Sequence, residues 1–199
     1  MPKLNGNKGE WSEVYVFLRL LEIGKLYAAD ADLNKIDDVF YNIIHIIRTE
    51  GPDLLEFQIN RSDGMVSVVK MGSVLVSLPF DDFKRAADHL YNEIVAASTS
   101  SFPVQETENL LDELSVHTLK AKSADKSDIK IKIHDIDTGI DSVQGFSIKS
   151  RLGSPSTLIN AGKTTNFIYE VTGPVTDSVM NEFNTCSKSH NYCKNKHYR

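Results

Sequence analysis

Cysteine is scarce in this chain: Cys186 and Cys193 are the two present among 199 residues, and both stand close to the C-terminus. A disulfide framework is thereby excluded as the support of the fold, and a reducing compartment suits the composition. Long apolar runs are missing as well. No stretch of eighteen apolar residues occurs, and the opening MPKLNGNKGEW lacks the apolar segment of a secretory signal, so a cytoplasmic chain with no membrane part is expected. The 6 prolines and 11 glycines are too few and too irregularly spaced for a collagen-like or low-complexity chain, and no internal repeat interrupts the order. What remains, 41% hydrophobic and 25% charged residues, is ordinary for a globular protein. The length suffices for one well-buried core, which makes a single main domain the expectation.

Positive charge is also in short supply, since the formal net charge is −5. Its distribution is uneven. Residues 1–119 hold 10 Lys and Arg against 19 Asp and Glu, whereas residues 120–199 hold 12 against 8. A phosphate backbone would therefore be met by the second half, although segment totals permit such a partner without requiring it.

Val14, Phe17, Leu18 and Leu21 recur at helical spacing and predict an amphipathic helix over 9–23, with Gly24 as its stop. Four runs rich in branched and aromatic residues, 39–47, 54–59, 65–70 and 73–78, are separated by turn formers and predict a strand meander. Helical spacing returns over 79–97 and again over 105–115. After a polar stretch at 120–127 come two runs of alternating character, 128–134 (DIKIKIH) and 144–150 (QGFSIKS), which predict a β-hairpin turning near Gly139. A strand over 165–171 and a short helix over 177–184 complete the order. The fold class expected is α/β, a mixed central sheet flanked by helices. Within one domain, residues 1–119 supply the first helix, meander and helices, 120–175 the hairpin and following strand, and 176–199 a short helix and basic tail.

Chemistry concentrates in the hairpin. Ile129, Ile131 and Ile133 point to one face, which sends Asp128, Lys130, Lys132 and His134 to the other. The same parity turns Phe146 and Ile148 inward and puts Ser147 and Lys149 outward. A turn near Gly139 sets Asp128 about opposite the stretch from Lys149 to Arg151, so a carboxylate, a hydroxyl and an ammonium converge. Phosphodiester hydrolysis needs such a set, because the anionic ester repels hydroxide and calls for a hard divalent cation on oxygen ligands. Asp128, the main-chain carbonyl of Ile148 and the hydroxyl of Ser147 can bind Mg²⁺, and Lys149 can orient the attacking water and stabilise the developing charge. A further acid is then needed. Glu10 and Glu13, at i and i+3 on the first helix, are the candidates, and Glu13 is favoured.

Asp128 followed by Ser147-Ile148-Lys149 resembles the PD-(D/E)XK nuclease signature in a serine-substituted form, a pattern that by itself arises by chance in many sequences. The wider text is more specific: KGEWSEVYVFLRLL, GKLYAAD, SDIKIKIHD, GFSIKSRLGSPSTL and TNFIYE together resemble the HpaII-type restriction endonucleases, over about residues 8–171. The resemblance implies a restriction-endonuclease-like core and a type II enzyme that cleaves duplex DNA at CCGG with Mg²⁺. It carries Asp128, Ser147 and Lys149 over as metal- and water-positioning residues, with Glu13 or Glu10 as the helix-borne acid. Ser127 stands where the signature has proline, and Ser147 where it has an acid, which leaves a metal site less negative. The family pattern also continues beyond the nuclease core. A truncated, non-cleaving DNA-binding remnant is therefore the alternative, and an α/β interaction protein without a nucleic-acid partner is the third reading.

Next to the hairpin, Arg151, Ser154, Ser156, Thr157, Asn160, Lys163 and Asn166 supply donors for phosphates or base edges, while turn formation explains the small ones equally. A palindromic target implies a possible homodimer, and a cognate methyltransferase would act on the same site. The spacing of Cys186, His190, Cys193 and His197 only superficially resembles a zinc site, since six residues part the cysteines and no knuckle glycine lies between. A basic terminus with Lys188, Lys194, Lys196 and Arg199 fits a DNA backbone better. His45, among isoleucines, reads as a strand histidine, and His134 as an edge residue that can approach the site.

Overall fold

Asn7 starts the first helix. Its side chain accepts from the Glu10 N–H (3.0 Å) and Glu10 Oε2 accepts from the Asn7 N–H (2.7 Å), a reciprocal cap that satisfies two of the orphan donors at a helix start. The helix, α1 (Lys8–Ile23), ends at Gly24, whose φ of +65° is open to glycine without steric cost. These features come from a computed structural model that describes residues 4–120, 127–152, 176–178 and 181. The chain divides into two units, residues 1–156 and 157–199.

In the first unit α1 is followed by β1 (Lys25–Ala29), β2 (Lys35–Glu50), β3 (Asp53–Asn60), β4 (Met65–Lys70) and β5 (Ser73–Pro79). Then come α2 (Phe80–Ala96), α3 (Gln105–Glu113), β6 (Ile129–His134) and β7 (Asp141–Phe146). The seven strands form one sheet in the order β5-β4-β3-β2-β6-β7, with β1 also on β2, and every pairing among the described residues is antiparallel. This is the expected α/β class, a central sheet with helices packed against it, and the meander falls on β2 to β5. The short β1, with KLYAA, has too little branched character to be read as a strand from the sequence.

Alternation within β3 and β6 explains how the sheet meets the helices. Leu55 and Phe57, like Ile129, Ile131 and Ile133, face inward with Ile43 and Ile46 of β2. Against them α1 lays Trp11, Val14, Phe17, Leu18 and Leu21, and α2 lays Phe83, Ala87, Leu90 and Ile94. Phe17 meets Phe57 edge to face at 4.9 Å, a favoured aromatic geometry, and Trp11 Nε1 donates to the Phe102 carbonyl (2.8 Å). α1 is thus fixed on the sheet, with the turn bearing Glu10 and Glu13 near the N-terminal end of β6.

The hairpin departs from expectation in register. The loop 135–140 is centred between Asp137 and Thr138, and β7 pairs over 141–146, with Ile129 against Phe146 and His134 against Asp141. Asp128 therefore lies beside 146–148 and not beside 149–151. The reason is that the loop is closed by Asp135, whose N–H donates to the Ile140 carbonyl (3.0 Å) and whose carbonyl accepts from Gly139 (2.8 Å), so that Gly139 ends the turn instead of centring it.

In the second unit Asp177, Ser178 and Asn181 are helical, inside the helix expected over 177–184. The expected strand 165–171, the loop 153–164 and the basic tail lie outside the described residues. Among the described residues no helix is long and apolar enough to cross a membrane.

Candidate active site

Where β6 begins, the chain is held by its neighbour strand: the Asp128 N–H donates to the Phe146 carbonyl (3.0 Å), and Asp128 Oδ2 accepts from the Ile148 N–H (2.7 Å). The carboxylate is thereby aimed at the main chain between Ser147 and Lys149. Gly145 makes the approach possible, since a Cβ there would fall 2.7 Å from Ser127 Oγ.

Asp128 also lines a cavity of about 30 Å³ with Glu13 and Phe17 of α1, Ile46 to Thr49 of β2, and Ser127, Ile129 and Lys130. That volume holds an ion or a water or two and excludes a small organic substrate. Two carboxylates share it. Burial, and then the charge of Asp128, push the Glu13 carboxyl up to about 7, while Lys120 and Arg48 act in the opposite direction. Glu10 differs: Oε1 pairs with Lys120 Nζ (2.8 Å), Oε2 caps the helix, and the Lys120 contact followed by the Asn7 N–H holds its carboxyl below the usual range. Both Glu10 carboxylate oxygens are thus engaged, and among the described residues none hydrogen-bonds to the Glu13 side chain.

Arg48, which no motif in the sequence marks, forms part of the cavity wall and is half-buried beside a buried acid. Its Nε donates to Glu50 Oε1 (2.5 Å), its Nη2 to the Thr118 carbonyl, and its guanidinium lies 5.8 Å from the Phe17 ring centroid. Glu50, 6% exposed, also accepts from the His117 N–H (3.2 Å) and the Thr118 hydroxyl (3.0 Å). Glu50 is two residues on, but Thr118 is 70 residues away and the cavity that Arg48 lines is formed only by folding, so no local pattern singles it out.

Beyond β7 burial still alternates: Phe146, Ile148 and Ser150 are half-buried, while Ser147, Lys149 and Arg151 are exposed. The inward and outward sets match the parity read from the sequence. His134 is set apart, bonded through Nδ1 to Asp141 Oδ1 (2.8 Å) at the far end of β6. His45 is half-buried on β2, and burial pulls its pKa down. Ser154, Ser156, Thr157, Asn160, Lys163 and Asn166 lie outside the described residues, as do Cys186, His190, Cys193 and His197. Among the described residues no three His, Cys, Asp or Glu side chains gather as a metal-binding group.

Two carboxylates in an ion-sized cavity beside a Ser-Ile-Lys segment give the comparison with known proteins its meaning. The chain matches the HpaII restriction endonuclease family over residues 7–196. The chain belongs to that family. It is also 39% identical over 168 residues to the type II restriction enzyme HpaII of Haemophilus parainfluenzae, an alignment that covers 84% of this chain and 46% of the relative. The chain thus spans about half the length of that HpaII enzyme. No solved structure matches. Within the HpaII family match lie every element from α1 to β7 and all of the residues around the cavity.

Proposed function

We propose that this chain carries the nuclease centre of a type II restriction endonuclease, which hydrolyses phosphodiester bonds of double-stranded DNA in the cytoplasm at a short palindromic site, CCGG by resemblance. The observation that carries the reading is the pairing of Glu13 and Asp128 in one small cavity, with Asp128 bonded to the amide between Ser147 and Lys149.

The donor set fits a hard divalent cation, Mg²⁺ by preference: Asp128 and Glu13 supply carboxylates, and the Ile148 carbonyl and Ser147 hydroxyl are the neutral oxygens at hand. An acid held protonated near neutrality by burial and by a neighbouring acid is what such an ion relieves, and a pair of acids with neutral oxygens forms no three-acid cluster. When bound, the ion offsets the negative charge of the phosphate and makes water a stronger nucleophile at neutral pH. The chain's own groups do the rest. Asp128 and Glu13 bind, the Ile148 N–H fixes the Asp128 carboxylate, and the exposed Lys149 ammonium orients water and balances charge on the phosphate. Arg151 contacts the DNA backbone. A two-fold DNA site is best met by a homodimer.

Incubation of the purified chain with plasmid DNA, with and without Mg²⁺, tests the reading. Discrete metal-dependent fragments are expected, and Lys149→Ala should abolish cutting while sparing most DNA binding. A salt-sensitive mobility shift with no cutting indicates a binding remnant, and the absence of both responses favours an interaction protein without a nucleic-acid partner.

A further inference from the structure

Ser12 and Ser150 are 138 residues apart in sequence, yet their hydroxyls lie 2.8 Å from each other. Each is the immediate neighbour of a residue in the nuclease centre, Ser12 of Glu13 and Ser150 of Lys149. Ser12 Oγ donates to the Lys8 carbonyl (2.7 Å), and the Leu152 N–H donates to Ser150 Oγ (3.1 Å). A hydroxyl has one proton to give, and a carbonyl only accepts. Ser12 Oγ thus faces two acceptors, the Lys8 carbonyl and Ser150 Oγ, and its single proton is shared between them. Ser150 Oγ accepts from both Ser12 and the Leu152 N–H, so one oxygen ties the segment after Lys149 to α1.

Ser12 is 3% exposed in the interior of a helix, where alanine is the better helix former and leaves no polar atom to satisfy. Its hydroxyl already has a partner in the Lys8 carbonyl, so the contact with Ser150 adds a link and does not repair a defect. On the other side of the segment, the Ile148 amide is bonded to Asp128. Residues 147–149 are thus held between two anchors, one on the sheet and one on α1, and the alternation that turns Ser150 inward turns Lys149 outward.

We propose that Ser12 and Ser150 are positioning residues, whose hydrogen bond sets the place of Lys149 relative to Glu13 and Asp128. The proposal rests on the nuclease reading above. Ser12→Ala, Ser150→Ala and the double variant should each lower kcat for plasmid cutting by about tenfold to a hundredfold, with KM within about twofold of the unaltered chain, as expected for misplacement of a reacting group. The double variant should lose no more than the single ones, because both remove the same bond. Ser150→Thr keeps the hydroxyl and should restore most of the rate. Independently of cutting, amide exchange at Leu152 and Ile148 should quicken at least about tenfold in Ser12→Ala, while β3 and β4 amides stay as they are. Ser150 is only half-buried, so its variant remains informative if Ser12→Ala does not fold. Unchanged kcat in Ser150→Ala, additive losses in the double variant, or unchanged exchange at Leu152 each overturn the proposal. If the unaltered chain cuts nothing, the nuclease reading falls, the positioning role falls with it, and the exchange data decide whether the anchor exists.

Discussion

Glu13 is the residue in which burial and charge act most strongly together. With its carboxyl raised to about 7, the folded chain holds a proton there that the unfolded chain releases at the ordinary carboxylate pKa. Its contribution to stability is full below that unfolded value and is lost as pH rises through about 7, where two carboxylates face each other. A divalent cation requires both groups ionised, so the dependence of its binding has the opposite sign. Thermal melts with and without Mg²⁺ should show a small rise in Tm near pH 6 and a larger one near pH 8, and an equal rise at both would contradict the pairing. Arg48 tests the cavity wall in another way. Arg48→Ala removes the cationic partner of the buried Glu50, leaving it the His117 N–H and the Thr118 hydroxyl, and should destabilise the fold by about 3–5 kcal/mol, read from urea denaturation, because a buried charge then lacks its counter-charge. At this scale the sequence could name Asp128, Glu13 and Lys149 as types, but not Ser12 or Ser150, whose shared bond spans 138 residues, nor Arg48, whose place in the cavity wall only folding creates.

At the scale of elements, α1 was legible because its apolar stripe and its terminal glycine point to the same helix, to which the structure adds the Asn7 cap and one residue at the start. The hairpin was legible in kind but not in register. Asp141, Ser142 and Val143 pair in β7 although little in them favours a strand, while Ser147 to Ser150 keep a strand's alternation after the ladder has ended. Pattern reports which way side chains point, whereas the closing bonds of a loop decide which residues face each other. Gly145 is the position where this matters for the site. Gly145→Ala would press on Ser127 and displace the start of β6, with an expected cost of about 1–3 kcal/mol from overpacking. A fall in Mg²⁺ affinity should accompany the fall in stability, since Ser127 precedes Asp128. A stable variant with unaltered affinity would show that the neighbour yields freely.

For the whole molecule, charge by sequence half was a poor guide until the topology arranged it. Asp30, Asp32, Asp37 and Asp38 lie on or beside the β1-β2 hairpin, and Asp135 and Asp137 in the β6-β7 loop, at the end of the sheet where Asn42 pairs with His134. Asp128 begins β6 at the opposite end, about 20 Å away at the usual rise of a strand. Those six carboxylates are thereby kept from the cavity, and a net charge of −5 is compatible with a polyanionic substrate. The central claim is that Glu13 and Asp128 jointly hold one divalent cation. Titration of Mn²⁺ followed by electron paramagnetic resonance near pH 8 tests it most directly. One site is expected in the unaltered chain, lost in both Glu13→Gln and Asp128→Asn, whereas undiminished binding in either variant would contradict a shared ion.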